Sequence, residues 1–211
     1  MRSISRRWMT IPAAVALAAG AAVSVAQPAA AVTYTFNAHA NAVQTTGLLG
    51  VTVAGSDYVG ATPGSDSTSV TTPSLPVVGS VGSASSLAEG TRVGALDTAH
   101  AEVSLTDVDL LSLPLVGTVI SVDSIESTVT TEEVSDGVRD SSGGAQIEGL
   151  TILGNAIPDP NVSQDVSLGG LGTVHVNYVD DNGSSITVHA LWIETTIGPD
   201  IYVGTAATSL T

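Results

Sequence analysis

Thr173-Val174-His175-Val176-Asn177-Tyr178-Val179, Asp180-Asp181-Asn182-Gly183, then Ile186-Thr187-Val188-His189-Ala190-Leu191-Trp192-Ile193-Glu194-Thr195: two runs of alternating apolar and polar residues stand on either side of a turn sequence. The alternation has the period of a half-buried strand, and a turn between two such runs makes an antiparallel hairpin. Asn-Gly favours the positive φ angles of a type I′ turn, so a two-residue turn at 182–183 is expected. That register sets Val176 opposite His189 and sends His175 and His189 to opposite faces, where they do not chelate together.

The same pattern extends through the chain. Val, Thr, Ile and Ser dominate, and Gly or Pro interrupts nearly every apolar run. Six further segments complete or precede the hairpin: Tyr34 to Val43, Val51 to Tyr58, Ala95 to Leu105, Thr118 to Val129, Gln146 to Leu153, and Ile201 to Ala207, with the two hairpin strands making eight in all. The fold class is all-β, an antiparallel sandwich-like single domain, with a β-barrel or irregular β-solenoid as the alternative. Asp136-Gly137 marks a second turn, and Ala61 to Thr72, rich in Ser, Thr and Gly, reads as a mobile loop. Ser83 to Glu89 is too short to stand as a helix.

A motif S-L-x-x-[VL]-G-[ST]-V occurs at Ser74–Val81, Ser112–Val119 and Ser167–Val174. Its uneven spacing argues against a solenoid of constant rungs and for repeated corners where a turn enters a strand. The middle copy contains Leu113-Pro114-Leu115-Val116-Gly117, which departs from a sortase sequence by Val in place of Thr and by its position mid-chain.

Residues 1–31 have the composition of a secretory signal peptide: Arg2, Arg6 and Arg7, the apolar run Ile11 to Val25, and Ala29 and Ala31 as the small residues at −3 and −1 of a cut before Val32. The Arg6-Arg7 pair also admits twin-arginine export. The domain is then 32–211, and loss of three arginines takes the formal charge from −15 to −18, with Arg92 and Arg139 as its cations and no lysine. Such a polyanion disfavours nucleic acid and anionic membranes as partners. No cysteine is present, so thiol chemistry, disulfides and Cys-ligated zinc are excluded, and packing alone must hold the fold. No later run reaches the roughly 18 apolar residues of a membrane span, and membrane insertion after processing is not expected.

Five segments together resemble one family: Gly149-Leu150-Thr151-Ile152, Ala156-Ile157-Pro158, Leu171-Gly172-Thr173-Val174, Ile186 to Ile193, and Gly198-Pro199-Asp200-Ile201-Tyr202-Val203-Gly204-Thr205-Ala206. The family is choice-of-anchor P, bacterial exported proteins, and the likeness covers most of 145–208. It implies an extracellular domain, attached in different relatives by different C-terminal sorting devices, with no assigned catalytic residues. This sequence carries none of those devices. It lacks the family's cysteines, and His189-Ala190-Leu191-Trp192 stands where the family has N-A-L-H.

Candidate sites follow from residue type. Ala38-His39-Ala40-Asn41 echoes Ala99-His100-Ala101-Glu102, so adjacent strands would assemble His39, Asn41, His100 and Glu102 as ligands or binding groups. Asp107/Asp109 and Asp180/Asp181 are the densest acidic pairs and make calcium the better metal candidate, but neither pair has a proper loop and no cofactor is expected. Counting back from Gly183 as the sixth position of an EF-hand places Tyr178 first and His189 twelfth, so that motif fails. Asp107 and Asp109, about 7 Å apart between Cα atoms on one strand face, are also the carboxylate pair of an alternative secreted hydrolase. No G-x-S-x-G, H-E-x-x-H or P-loop lysine occurs. The expectation is a non-enzymatic, secreted or envelope-associated β-domain with a structural, adhesive or binding role toward a cell-envelope or extracellular polymer, with a calcium-dependent module as the further alternative.

Overall fold

The computed structural model describes residues 33–46, 50–75, 79–94, 96–113, 117–135, 137–196 and 198–211. The expected leader, with Ala29 and Ala31 as its expected cleavage residues, lies outside this set. Residues 33–211 belong to one compact unit.

Alternation of small or branched residues with polar ones makes strand the element throughout. Fifteen strands are described: β1 Phe36–Thr45, β2 Thr52–Gly60, β3 Gly64–Thr71, β4 Ser74–Leu75, β5 Gly79–Ser80, β6 Ser83–Val93, β7 Leu96–Leu113, β8 Gly117–Ser135, β9 Val138–Glu148, β10 Thr151–Ile152, β11 Asn155–Ala156, β12 Gln164–Ser167, β13 Gly172–Asp181, β14 Ser185–Thr195 and β15 Ile201–Leu210. They form two antiparallel sheets packed as a sandwich. The first has the order β12-β13-β14-β15-β1-β2. The second is built on the long β7–β8 ribbon: β6 and β3 extend it beyond one half of β7, β5 and β4 beyond the other, with β9 and then β10–β11 beside β8. Among the described residues no closed barrel forms.

The core lies between the sheets, where Val103, Leu105, Ile125, Val129 and Ile147 meet Val176, Val188, Leu191, Ile193 and Val203, all buried. Strand sides exposed to solvent are the places where such a fold aggregates, and here side chains occupy them. Ala145 and Ile147 of β9 donate their backbone N–H to Asn177 Oδ1 at 3.2 Å and Asn161 Oδ1 at 2.6 Å. On the other side, Asp57 N–H donates to Asp66 Oδ2 at 3.0 Å, and Thr68 Oγ1 donates to the Gly55 carbonyl at 3.0 Å.

The repeated motif does mark corners, and all three have one register. Ser74 faces Ser80 and Leu75 faces Gly79, while Ser112 faces Thr118 and Leu113 faces Gly117. In the third, Ser167 faces Thr173 and Leu168 N–H donates to the Gly172 carbonyl at 2.8 Å. Gly79 and Gly172 share a backbone state, φ 145° and φ 140°, that only glycine adopts freely. A Cβ at Gly79 would lie 1.8 Å from the Asp109 carbonyl oxygen, and one at Gly172 would lie 2.0 Å from that of Glu194. The motif is thus a hairpin, and in its first and third copies the returning glycine lies flat against a third strand. Positions 76–78 and 114–116 lie outside the described residues.

Two expectations require correction. Residues 64–71 are not a mobile loop but strand β3, paired along its length with β6, because Ser and Thr alternate there with just enough bulk at Val70 to pack on the core. The Asn-Gly turn is not two residues long: Asp181 faces Ile186 across a four-residue connection. Side chains decide this, since Asp181 Oδ1 accepts from Gly183 N–H and Asn182 Oδ1 accepts from Ser184 and Ser185 N–H, which stabilises the longer loop.

Candidate functional site: the outer face of the six-stranded sheet

A line of backbone irregularities crosses this sheet and decides what its outer face presents. Ala54 (φ 42°), Gly204 (φ 61°) and Asn177 (φ 50°) are left-handed and lie beside Ala42 and Ala190 on the intervening strands. All four ladders omit those positions while keeping register on both sides: Val176 faces Leu191 and Tyr178 faces His189, Val43 faces Val203 and Asn41 faces Thr205. Alternation slips by one residue at the line, so Ala42 and Val43 both point inward, as do Ala190 and Leu191. Gly204 is required there, because a Cβ would lie 2.8 Å from Ile125 Cγ2 on the opposing sheet.

The slip overturns the expected separation of His175 and His189. His189 lies opposite Tyr178, not Val176, and His175 opposite Trp192. Both imidazoles therefore join one outward cluster with Tyr178, Trp192 and Tyr202. Ring centroids are 4.5 Å apart for His175–Trp192, 5.3 Å for Tyr178–Trp192, 6.0 Å for Tyr178–His189, 4.8 Å for His189–Tyr202 and 5.9 Å for Trp192–Tyr202. His175 Nδ1 lies 2.7 Å from Asp165 Oδ1, and its Nε2 is 3.6 Å from Glu194 Oε2. Burial among the rings lowers the His189 pKa to about 4, while its Nδ1 pairs with Thr205 Oγ1 at 2.8 Å. Burial, then the charge of Asp200, raises that of Tyr202.

Beside the rings, β1 presents Asn37, His39, Asn41 and Gln44 outward in a column. Two shallow troughs follow it, about 400 Å³ over Asn37, His39, Ala207 and Ser209, and about 460 Å³ over His39, Asn41, Gln44, Gly55 and Asp57. Small neighbours make them. Gly55 lies under Asn41, whose Oδ1 would be 2.8 Å from an added Cβ. His39 pairs with Asp57.

No protein-family model, curated protein or solved structure matches the chain. The choice-of-anchor P resemblance therefore rests on its motifs.

The structure distributes the other candidates differently from expectation. His39 and Asn41 belong to the six-stranded sheet, whereas His100 and Glu102 lie on β7 of the other, so the four do not converge. The echo reflects two separate half-exposed strands, each alternating Ala inward with a polar residue outward. His100 Nδ1 instead contacts Thr130 Oγ1 at 3.1 Å, with Nε2 3.8 Å from Glu102. Asp107 and Asp109 are both exposed on β7, but Asp107 is left-handed (φ 50°) and interrupts the β7–β8 ladder. Asp180 and Asp181 are exposed at the end of β13, facing Thr187 and Ile186. Among the described residues, no group of three or more His, Asp and Glu side chains is placed to hold a metal ion. Tyr178, Trp192, Tyr202 and Gln44 were absent from the sequence candidates. Alternation assigns each a face, but the slip that brings the rings together requires a left-handed Asn and Ala, which carry no mark in the sequence.

Proposed function

We propose that the chain is a non-enzymatic, exported β-domain with a binding or adhesive role at the cell envelope, acting through the outer face of its six-stranded sheet. The aromatic cluster carries this reading. Tyr178, Trp192 and Tyr202 are three of the six aromatic residues after the leader, in a fold that has few rings to fill its core. Rings placed on the solvent side forgo much of the burial that stabilises folding, and they offer a partner large contact area at little entropic cost. The leader and the choice-of-anchor P motifs support export.

Sedimentation with envelope fragments of the producing cells tests the role. The full chain is expected to co-sediment, and Trp192→Ser/Tyr202→Ser to remain in the supernatant. Glu126→Gln, on the outer face of the other sheet, should bind as the parent does. Absence of co-sedimentation by the parent would reject the role; unimpaired binding by the double variant would reject the face.

A further inference from the structure

The column on β1 points to a ligand class. We infer that the troughs along Asn37, His39, Asn41 and Gln44 bind a neutral polysaccharide chain, an inference that rests on the binding role proposed above. The column is a continuous polar track: seven residues separate Asn37 from Gln44, which at strand rise is about 23 Å. The two troughs share His39 and run along this track. The ligand is therefore extended rather than compact.

The chemistry of the track selects hydroxyl groups. A side-chain amide both donates and accepts, as a sugar hydroxyl does, and no hydrogen bond joins the Asn41 or Gln44 amide to another described residue. Ser185, Thr187 and Ser209 add hydroxyls along the first trough, and Thr52 adds one to the second. At one end Tyr202 lies directly across from Gln44, supplying an aromatic wall for the C–H faces of a sugar ring.

Other classes fit less well. Neither trough contains an arginine, and the single carboxylate, Asp57, is paired with His39, so an acidic polymer finds no countercharge. An apolar segment would leave the amides desolvated and unpaired. A peptide adding a strand needs free backbone at a sheet edge, whereas the track lies on a strand hydrogen-bonded on both sides, by β15 and β2.

Native affinity electrophoresis of the full chain through gels containing xylan, mannan, β-1,3-glucan or polygalacturonate tests the inference. At least one of the three neutral polymers is expected to retard the protein, with polygalacturonate leaving it unretarded. Asn41→Ala/Gln44→Ala should weaken the retardation about tenfold, as loss of two hydrogen-bonding groups implies. Ala207→Tyr fills the trough without removing any polar group and should do the same. Ser104→Ala, on the other sheet, should bind as the parent does. Circular dichroism of each variant reports that the fold is kept. Retardation by polygalacturonate equal to that by a neutral polymer, or retardation that survives both trough variants, would overturn the inference. If no neutral polymer retards the chain while it still co-sediments with envelopes, the glycan inference fails and the binding role stands.

Discussion

The shared corner motif makes a quantitative demand on its glycines. Three Gly→Ala substitutions separate backbone strain from collision. Gly170 has an ordinary φ and open space where its Cβ would stand, so Gly170→Ala should be neutral or slightly stabilising, since it narrows the unfolded ensemble. Gly183 has φ 80° with open space, so Gly183→Ala should cost about 1–2 kcal/mol of left-handed strain alone. Gly172 combines φ 140° with a Cβ 2.0 Å from the Glu194 carbonyl oxygen. Strain of about 1–3 kcal/mol adds there to the loss of ladder bonds worth about 1 kcal/mol each as β13 is pushed off β14. The total is about 3–5 kcal/mol, and at about 2–4 °C per kcal/mol for a domain of this size Tm should fall by roughly 10 °C. Thermal melts followed by circular dichroism order the three variants. Gly79→Ala should behave like Gly172→Ala, because its Cβ meets the Asp109 carbonyl in the same way. A Gly172→Ala melt within about 2 °C of the Gly170→Ala melt would refute the argument that the motif is a glycine-dependent corner.

Leu191 is fully buried, so Leu191→Ala should cost about 2–5 kcal/mol in urea unfolding, whereas Val93→Ser, at 78% exposure, should stay within about 0.5 kcal/mol of the parent. His189 has a folded pKa of about 4, below its unfolded value of 6.5. The folded state therefore prefers the neutral ring: the contribution is fully present above pH 6.5 and is lost as pH falls toward 4. Subtracting the His189→Gln stability curve from the parent's should isolate that slope, and an NMR titration should place the imidazole midpoint near pH 4. Arg92→Met strands the buried Asp97 carboxylate and should lower Tm, and Arg92→Met/Asp97→Leu should recover most of the loss.

Much of the fold was legible because period-2 patterning reports directly on which side of a strand is buried. Ile186 to Thr195 reads as a strand and is one, and the three S-L-x-x-[VL]-G-[ST]-V copies read as corners because they recur at uneven spacing where a turn enters a strand. What escaped was register and face. Asn-Gly alone favours a short turn, but the carboxylate of Asp181 and the amide of Asn182 collect the loop N–H groups and lengthen it by two residues. The Ser-rich stretch 64–71 looked too poor in bulk to pack, yet its backbone pairs with β6 and needs little else. The site was the least legible part. A left-handed Asn177 or Ala54 becomes affordable only when neighbouring strands supply the matching irregularity, so the slip that gathers the rings is a property of the assembled sheet.

The two arginines explain why the outer faces present no countercharge to anionic ligands. Arg92 places Nε and Nη2 on the two oxygens of buried Asp97, at 2.5 and 2.8 Å, and lies over the Phe36 ring at 5.6 Å. Arg139 donates to the Leu210 carbonyl and lies over Tyr34 at 5.5 Å. Phe36, Tyr34, Leu210 and Ala99 form a separate buried cluster at one end of the sandwich, so both cations cover the same plug. Across that end, Arg92 faces Asp97 and Arg139 faces Glu133 on neighbouring strands. A guanidinium suits this task because its planar fork satisfies a carboxylate or carbonyl while its face packs on a ring. With both arginines committed to closing the core, and acidic residues spread over the surface, the long-range field is negative. Such a field disfavours ligands rich in phosphate or carboxylate, and the neutral polymer proposed for the six-stranded sheet would experience no such penalty. In the proposed binding role, selection among polymers would be set partly at the far end of the domain, where packing has consumed Arg92 and Arg139, the only lysine or arginine side chains of residues 32–211.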